Sequence, residues 1–298
     1  MPVNRVAPRH SIKVVPPKKK AFTIETPDGI PKLHQLLFCC AMRGGGKSVM
    51  VSSLVARLIK EKLITAAILV SPTYASNKEI FSQLNLQEGD VYEPTKDVVR
   101  TLMARLDAEL QEWKVFDDQR RKYKAFRRLM DTDTAVNNIP SSVLLDAMQG
   151  GFFDRPPHYK YGDLPHPPRF YVIFDDCLGS DCFRLRSSGI INLAIRHRHV
   201  MEGNGVSLAF LCQSYAAHDG LSRILRENST CLCLWKNRQE QQMQKIIEEN
   251  LSTSDMTEDR FHELCEHCWS IPHGFLVIDH SVSDPSKTFR CCWDEYLT

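Results

Sequence analysis

The sequence predicts an α/β fold with a mostly parallel central sheet, helices on both faces of that sheet, and a helical insertion. A strand, a glycine-rich loop, a helix and a second strand follow one another between residues 33 and 70. Two further apolar runs, at 169–176 and 206–212, each lead into polar side chains, as buried parallel strands do at a functional edge. Strand, loop, helix and strand in this order form the opening unit of a parallel sheet.

The first unit has clear boundaries in the sequence. An apolar run from Leu33 to Ala41 predicts a buried strand, and Ser48–Lys60 carries apolar residues at helical spacing, which predicts a helix. A second buried strand, Ala66–Val70, is closed by the turn residues Ser71-Pro72-Thr73. The glycine-rich loop therefore lies between a strand and the helix that follows it.

The segment 95–130 departs from this alternation because its apolar side chains form a helical stripe. A single helix of this length would run about 54 Å, so Asp117-Asp118-Gln119 is a candidate break between two packed helices. The face of its second half is either solvated or in contact with a phosphate backbone. Residues 131–168 are rich in turn residues and predict a surface connection. The basic residues of that second half are Arg120, Arg121, Lys122, Lys124, Arg127 and Arg128.

The later strands complete the predicted sheet. Arg169–Asp176 is an apolar run that ends in two acids, and the run at 206–212 is followed by Gln213. Another strand is predicted at 230–235, after a helix-like segment at 221–227. Polar side chains at the carboxyl ends of such strands are expected beside the glycine-rich loop.

Residues 41–48 match the phosphate-binding pattern G-x-x-x-x-G-K-[ST] except at the first position. Glycines let backbone N–H groups wrap a phosphate chain, Lys47 would reach the β- and γ-phosphates, and Ser48 would ligate Mg²⁺. Ala41 replaces the first glycine, so a positive φ there would be strained. A glycine-rich turn with a chance Lys-Ser is the alternative interpretation. The predicted nucleotide-binding residues are Ala41, Met42, Arg43, Gly44, Gly45, Gly46, Lys47, Ser48 and Val49.

Two carboxylates and one amide are candidates for the chemistry of ATP hydrolysis. Asp175, at the end of a buried strand, would hold Mg²⁺ together with Ser48. Asp176 stands where a carboxylate can polarise the attacking water, and Gln213 can sense the γ-phosphate or orient that water. The alternative for the two acids is an ordinary acidic turn after a strand.

Two arginines lie between the last predicted strands. Arg223 or Arg226, offered to the site of a neighbouring subunit, would stabilise charge in the transition state. A surface ion pair is the alternative role for either side chain.

Composition limits the class of protein. The chain has 298 residues, of which 43% are hydrophobic and 25% charged, and this suits one large or two small globular domains. No apolar stretch reaches the ~18 residues that a membrane span needs, and no apolar core of a signal peptide is present, so we expect the cytosolic side of the membrane.

The eleven cysteines, often inside apolar runs, are typical of reduced core residues rather than of a disulfide framework. A structural zinc site on Cys265 and Cys268 with Cys291 and Cys292 is the alternative for four of them. A Ser-His-Asp hydrolase has no nucleophile-elbow sequence to support it.

Residues 1–22 predict a basic, extended arm, because the first twenty contain several prolines and Lys or Arg residues but no acid. Either this arm is a solvated tail, or it touches DNA, a capsid or an anionic membrane surface. The rest of the chain, residues 23–298, is predicted to form the nucleotide-binding domain.

Taken together, the motifs resemble those of the genome-packaging ATPases of large double-stranded DNA viruses, the poxvirus type, within the FtsK-HerA superfamily. The resemblance covers about residues 34–250. It is carried by the loop at 41–48, the strand ending in Asp175-Asp176, the stretch Arg196-His197-Arg198-His199, the strand end Leu211-Cys212-Gln213-Ser214-Tyr215 and the segment Ile224-Leu225-Arg226-Glu227-Asn228-Ser229-Thr230.

This resemblance implies a RecA-like P-loop NTPase that hydrolyses ATP with Mg²⁺ and moves double-stranded DNA into a capsid. It also implies a ring of identical subunits, a pentamer or hexamer, with partners at the capsid vertex or inner membrane. The expected location is the host cytoplasm, the viral factory or the virion. By resemblance, Lys47, Ser48, Asp175, Asp176 and Gln213 serve the nucleotide and the water, and Arg226 is favoured over Arg223 as the trans-acting arginine.

Two functions of other classes remain open from the sequence. One is a soluble P-loop enzyme acting on a small molecule, such as a nucleotide kinase, and the other is a degenerate nucleotide-binding scaffold. A kinase would carry clustered arginines close to the phosphate loop, whereas this chain places its candidate arginines between late strands. A GTPase is disfavoured because no N-K-x-D string occurs.

Overall fold

The computed structural model describes residues 24, 26–131, 139–153, 155–184, 189–216, 221–237, 239–251 and 256–297. The predicted basic arm at 1–22 lies outside these residues. In the described part of the chain, one sheet contains all nine strands. They are β1 (Leu36–Cys40), β2 (Ala66–Val70), β3 (Val91–Tyr92), β4 (Phe170–Asp175), β5 (Ser207–Cys212), β6 (Cys231–Trp235), β7 (Phe275–Asp279), β8 (Phe289–Cys291) and β9 (Glu295–Leu297).

The sheet combines a parallel part with an antiparallel extension. The strands lie in the order β3-β2-β4-β5-β1-β6-β7-β8-β9. Strands β1 to β6 pair in parallel, and β7, β8 and β9 continue the sheet in antiparallel pairs. The five predicted strands at 33–41, 66–70, 169–176, 206–212 and 230–235 are all present, and together with β3, which was not predicted, they form the parallel part.

Helices cover both faces of the sheet. They are α1 (Lys47–Lys60), α2 (Tyr74–Asn77), α3 (Val98–Asp131), α4 (Ser141–Gly150), α5 (Asp181–Arg184), α6 (Ile190–Arg196), α7 (Val200–Gly203), α8 (Arg223–Glu227), α9 (Glu240–Leu251) and α10 (Glu258–Trp269). Short 3₁₀ turns lie at Ser82–Leu84, Glu88–Asp90, His197–His199 and Pro285–Lys287.

The core is divided by the sheet into two apolar layers. Along β1, Leu36 and Phe38 belong to the layer that α3, α9 and α10 cover, while Leu37 and Cys39 belong to the layer that α1 covers. This alternation is the period-two pattern of a strand that is buried on both faces. The predicted α/β class with helices on both faces of the sheet is therefore confirmed.

The helical insertion differs from its prediction in two respects. Helix α3 is one helix of 34 residues, so the predicted break at 117–119 is wrong. Asp117 does not end the helix because its buried carboxylate accepts hydrogen bonds from Arg120 and Arg121, one turn further along the same helix. Part of the predicted surface connection is also helical, since α4 packs on α3 around Phe126 and Ala147.

All eleven cysteines carry free thiols, and ten of them are buried, which agrees with the prediction of reduced core residues. In the ranges given above, we find no helix that is both long enough and apolar enough to cross a membrane.

Candidate nucleotide-binding site

The carboxyl ends of the parallel strands form one edge of the sheet, and the candidate residues lie along it. The phosphate loop leaves the end of β1, which lies between β5 and β6. Asp175 ends β4, and Gln213 follows β5. Because parallel strands bring their carboxyl ends to the same edge, residues far apart in the sequence meet beside the loop.

A cavity of about 440 Å³ opens at this edge. The predicted site residues that line it are Arg43, Gly44, Gly46, Lys47, Ser48, Val49, Asp175, Asp176 and Gln213. Neither Arg223 nor Arg226 is among its lining residues. The motif residues predicted from separate strands therefore form one site, and the two arginines lie elsewhere.

The phosphate loop folds as its glycines require. Gly44 and Gly46 have φ values of 78° and 100°, which side chains other than glycine rarely adopt. A Cβ on Gly45 would lie 2.9 Å from the Cβ of Ala41. Ala41 itself has no positive φ, and its N–H extends the pairing of β1 to the carbonyl of Cys212 at 3.1 Å. The predicted strain at Ala41 is therefore wrong, because the chain bends only after this residue.

Lys47 is the buried cation of the site. Its Nζ donates to the carbonyl oxygens of Ala41 and Met42 at 2.9 and 3.3 Å, and the side chain is only 7% exposed. In the described part of the chain it makes no ion pair with a carboxylate. The charge of Lys47 acts on the nearby Asp175 carboxyl without forming an ion pair with it. A buried cation that lacks a direct ion pair is costly, so this ammonium group is well placed to bind an anion.

Ser48 and Asp175 form the pair that could hold a metal ion. The Ser48 hydroxyl donates to Asp175 Oδ1 at 2.8 Å, and Asp175 is 3% exposed. Burial raises the pKa of the Asp175 carboxyl, and the charge of Asp176 adds to this effect, while Ser48 and Lys47 oppose it. One hydroxyl oxygen and one carboxylate oxygen at this distance are hard ligands that suit Mg²⁺, so the residues present fit the predicted ion.

Asp176 and Gln213 form a second polar pair in the same cavity. Gln213 Nε2 donates to Asp176 Oδ1 at 2.8 Å, and both side chains are exposed to the cavity. Asp176 has a φ of 55°, a left-handed conformation that aspartate tolerates better than most residues. The turn after β4 therefore directs two successive carboxylates into one site, Asp175 towards Ser48 and Asp176 towards Gln213.

The polar residues after β2 that line one side of the cavity were not identified from the sequence. Thr73 and Asn77 line the cavity, and Asn77 Nδ2 donates to Thr73 Oγ1 at 3.1 Å. A hydrogen bond from Ser71 acts to lower the pKa of Asp175. The signal was present in the sequence: Ser71-Pro72-Thr73 directly follows a buried strand of the same sheet.

The two candidate arginines have different environments. Arg226 is only 8% exposed and makes a two-pronged ion pair with Glu249 at 2.8 Å, and its guanidinium lies 5.1 Å from the centre of the Tyr215 ring. Arg223 is 78% exposed and pairs with Glu227 on its own helix. The preference for Arg226 as the trans-acting arginine therefore stays a prediction: within this chain Arg226 is engaged in a mostly buried ion pair, whereas Arg223 is exposed to a neighbour.

His197, in the Arg-His stretch of the resemblance, lies within the fold rather than in the cavity. Its Nδ1 lies 2.6 Å from the carbonyl oxygen of Ala194, and its Nε2 lies 3.3 Å from that of His34. Burial lowers the pKa of His197, so the ring is expected to be neutral. This histidine connects the end of α6 to the residues that lead into β1.

The four-cysteine zinc hypothesis is not supported by the arrangement of the thiols. Among the described residues, the group whose ligand atoms lie within 4.8 Å of one another is His267, Cys291 and Glu295. Cys265 and Cys268 are buried in α10, where burial raises the pKa of both thiols, the first to about 12. These two cysteines are core residues, in agreement with the prediction of reduced core thiols.

The sheet order and the site define an α/β protein of the RecA-like P-loop class, as predicted. No protein-family model and no curated protein matches the chain. Similar solved structures include the genome-packaging NTPase B204 of Sulfolobus turreted icosahedral virus 2 in complex with ATP-γS. The two chains are 12% identical, the alignment covers 87% of this chain and 96% of that chain, and the TM-score is 0.44.

Two further structures show a similar degree of likeness. The pCW3 conjugation coupling protein TcpA is 14% identical, with 84% of this chain and 60% of that chain covered and a TM-score of 0.38. The cytoplasmic domain of the Thermomonospora curvata type VII secretion ATPase EccC is 14% identical, with 87% and 25% covered and a TM-score of 0.39. At this degree of similarity, neither activity nor partners pass from these proteins to this chain.

Proposed function

We propose that this protein is an ATP-driven motor that moves double-stranded DNA, and that its task is viral genome packaging. The observation that carries the enzymatic part is the joint position of Lys47, the Ser48–Asp175 pair and the Asp176–Gln213 pair in one cavity. A cation for phosphates, oxygen ligands for Mg²⁺ and a carboxylate free to act on water are the parts that ATP hydrolysis needs.

Each residue has a distinct task in this proposal. The backbone N–H groups of the loop and Lys47 bind the phosphate chain, and Ser48 and Asp175 would hold Mg²⁺, which would neutralise charge on the phosphates. Asp176 orients the attacking water and accepts its proton as the bond to the γ-phosphorus forms and the bond to the ADP oxygen breaks. Gln213, hydrogen-bonded to Asp176, fixes the direction of that carboxylate.

The assignment to DNA movement comes from the order of motifs in the sequence, and two structural features support it. The exposed Arg223 on α8 is available to a neighbouring subunit, as a ring would require. Lys124 and Arg128 on the second half of α3 are exposed, and we find no carboxylate partner for either among the described residues. Exposed, uncompensated cations of this kind bind phosphate groups without reading base sequence.

The helical insertion carries less free charge than its sequence indicates. Arg120 and Arg121 pair with Asp117, and Lys122 pairs with Asp118 and Asp146. The DNA-contacting part of this face is therefore narrower than the full basic segment, and it centres on Lys124 and Arg128.

The deciding experiment measures ATP hydrolysis with and without double-stranded DNA, together with the mass of the protein in solution. We expect hydrolysis that DNA stimulates in a salt-sensitive but sequence-independent way, from an oligomer. A monomer that transfers phosphate from ATP to a small acceptor would support the kinase alternative instead. Binding of ATP without any turnover would support the scaffold alternative.

A further inference from the structure

A second cavity lies on the other side of the phosphate loop. Its volume is about 270 Å³, and it shares Arg43 and Gly44 with the cavity that contains Lys47 and Asp175. Its other lining residues are Met42, Gly45, Trp235, Lys236, Trp269, Ile271, His273 and Gly274. The two cavities therefore flank the loop, one on the side of β4 and β5, and the other on the side of β6 and β7.

The sheet topology explains why these residues meet at the loop. Strand β6 ends at Trp235 beside β1. Strand β7 runs antiparallel to β6, with Phe275 paired to Trp235, so the turn 270–274 that joins α10 to β7 reaches the same edge. The Trp235 indole donates to the carbonyl oxygen of His273 at 3.0 Å, which holds this turn against the end of β6.

The conformation of the turn 270–274 is constrained by its backbone and by close packing. His273 has a φ of 60°, and its side chain lies 3.7 Å from where a Cβ on Gly46 would stand. A Cβ on Gly274 would lie 2.0 Å from the carbonyl oxygen of Cys268, so this position requires glycine. The result is that Ile271 is held at the tip of the turn with 45% of its surface exposed.

Two large apolar side chains are exposed in this one cavity. Met42, from the phosphate loop, is 43% exposed, and Ile271, from the turn, is 45% exposed. Trp269, at the end of α10, is partly exposed beside them. Apolar groups fixed around a concave space favour the face of a flat ligand.

We propose that this cavity, which we call the base slot, holds the purine base of the bound nucleotide. The inference rests on the proposed function, because it assumes that the loop binds a nucleoside triphosphate. The groups for Mg²⁺ and water lie on the β4 and β5 side, so the terminal phosphate is directed there. The nucleoside then extends away from this side in our proposal, and the base slot is the cavity with exposed apolar side chains on the opposite side of the loop.

The base slot also predicts how the base is selected. Among the described residues, the side chains that line it include no carboxylate, the group that would accept hydrogen bonds from the Watson–Crick edge of guanine. Apolar contact and stacking hold the base instead, and every purine has a suitable face. GTP is therefore expected to bind no more tightly than ATP.

The test compares ATP with inorganic tripolyphosphate, which carries the phosphate chain without a nucleoside. Ile271→Ser removes apolar contact from an exposed position, so the fold is expected to survive. We expect this change to weaken ATP binding by about tenfold while the affinity for tripolyphosphate stays the same, as measured by calorimetry. Ile195→Ser, at a similarly exposed isoleucine on α6, is the matched control and should change neither affinity.

The possible results separate the base slot from the phosphate site. Loss of affinity for ATP alone supports the base slot. Unchanged ATP affinity in Ile271→Ser, with tripolyphosphate still bound, overturns the base slot and leaves the proposed function intact. Failure of the unaltered protein to bind either ligand overturns the proposed function and the base slot with it.

Tryptophan fluorescence supplies an independent measurement. A base in the slot should quench Trp269, so ATP should lower the emission and tripolyphosphate should not. Because Trp235 also lines the slot, Trp269→Phe should reduce this difference and the double variant Trp235→Phe, Trp269→Phe should abolish it, whereas Trp113→Phe, on the remote helix α3, should preserve it. A difference that persists in the double variant would count against the base slot.

Discussion

The phosphate-binding edge of the sheet and the helical insertion both contain many charged side chains, but they use them differently. In the insertion, Asp117 is paired with Arg120 and Arg121, and Lys122 is paired with Asp118. At the edge of the sheet, the partners of Lys47 among the described residues are carbonyl oxygens, and Asp175 accepts from a hydroxyl group. Charges that are compensated within the protein hold the fold, and charges left uncompensated are available to a ligand.

This contrast predicts that the same kind of substitution has different consequences in the two regions. At the edge of the sheet, removal of a charge should abolish binding or turnover with little loss of stability. In the insertion, it should lower stability and leave turnover unchanged.

The largest effect is expected for Lys47→Ala. Because this ammonium group is the proposed counter-charge for the phosphates, nucleotide binding or turnover should fall below detection, while the melting temperature should not decrease. Lys60→Ala, at an exposed lysine on the same helix, is the control and should behave like the unaltered protein. Nucleotide binding that survives Lys47→Ala would contradict the role of the phosphate loop.

The second-largest effect on turnover is expected for Arg223→Ala. If a neighbouring subunit uses this arginine, turnover should fall by about 10³-fold while nucleotide stays bound. Mixing Arg223→Ala with Lys47→Ala protein should restore part of the activity, because some mixed interfaces contain an intact loop and an intact arginine. No recovery at any mixing ratio would show that Arg223 does not act across an interface.

Arg226→Ala separates the two arginines, since it breaks a mostly buried ion pair. We expect a loss of about 2–3 kcal/mol in the free energy of unfolding. Hydrogen bonding to Arg226 lowers the pKa of Glu249, so the stability that this pair contributes is present above the ordinary pKa of glutamate and is lost as the pH falls through the lowered value. Denaturant unfolding at several pH values should therefore show a weaker loss of stability in acid for the variant.

A smaller effect on turnover is expected for Asp176→Asn. The amide cannot accept a proton from the water, so hydrolysis should fall by at least ~100-fold while ATP binding is retained. Asp181→Asn, at an exposed aspartate nearby, serves as the control. Unchanged turnover in Asp176→Asn would remove this residue from the mechanism.

The smallest effect on turnover is expected in the insertion. Asp117→Asn should lower the free energy of unfolding by about 1–3 kcal/mol, because two arginines lose their shared partner, but basal hydrolysis should not change. The neighbouring Asp118→Asn, which is 64% exposed, should affect neither quantity. A large loss of basal hydrolysis in Asp117→Asn would contradict the contrast between the two regions.

Much of the parallel part of the sheet could be predicted because its strands are buried on both faces and read as short apolar runs. The phosphate loop, Asp175 and Gln213 could be located because each directly follows such a run. Helix α3 was harder to delimit, since acidic residues such as Asp117 favour a break when considered alone. The partners of Asp117 are Arg120 and Arg121, and they come within hydrogen-bond distance only once the helix has formed.

Other parts of the site depend on tertiary structure and could not be predicted. Nothing in the sequence near Ile271 or Trp235 indicates that an antiparallel strand brings them beside the phosphate loop. Likewise, Arg223 and Arg226 are three residues apart on one short helix, and only the position of Glu249 on α9 shows which of them is held in the fold.

The ion pair of Arg226 with Glu249 has a mechanical consequence. Glu249 also accepts from the Tyr215 hydroxyl at 2.9 Å, and Gln242 on α9 accepts from the Tyr215 backbone N–H at 3.0 Å. These contacts connect helix α8, helix α9 and the segment that follows Gln213. Closely packed protein interiors resist compression and transmit strain. We therefore expect a displacement of α8 to be passed through these contacts to Tyr215, two residues after Gln213.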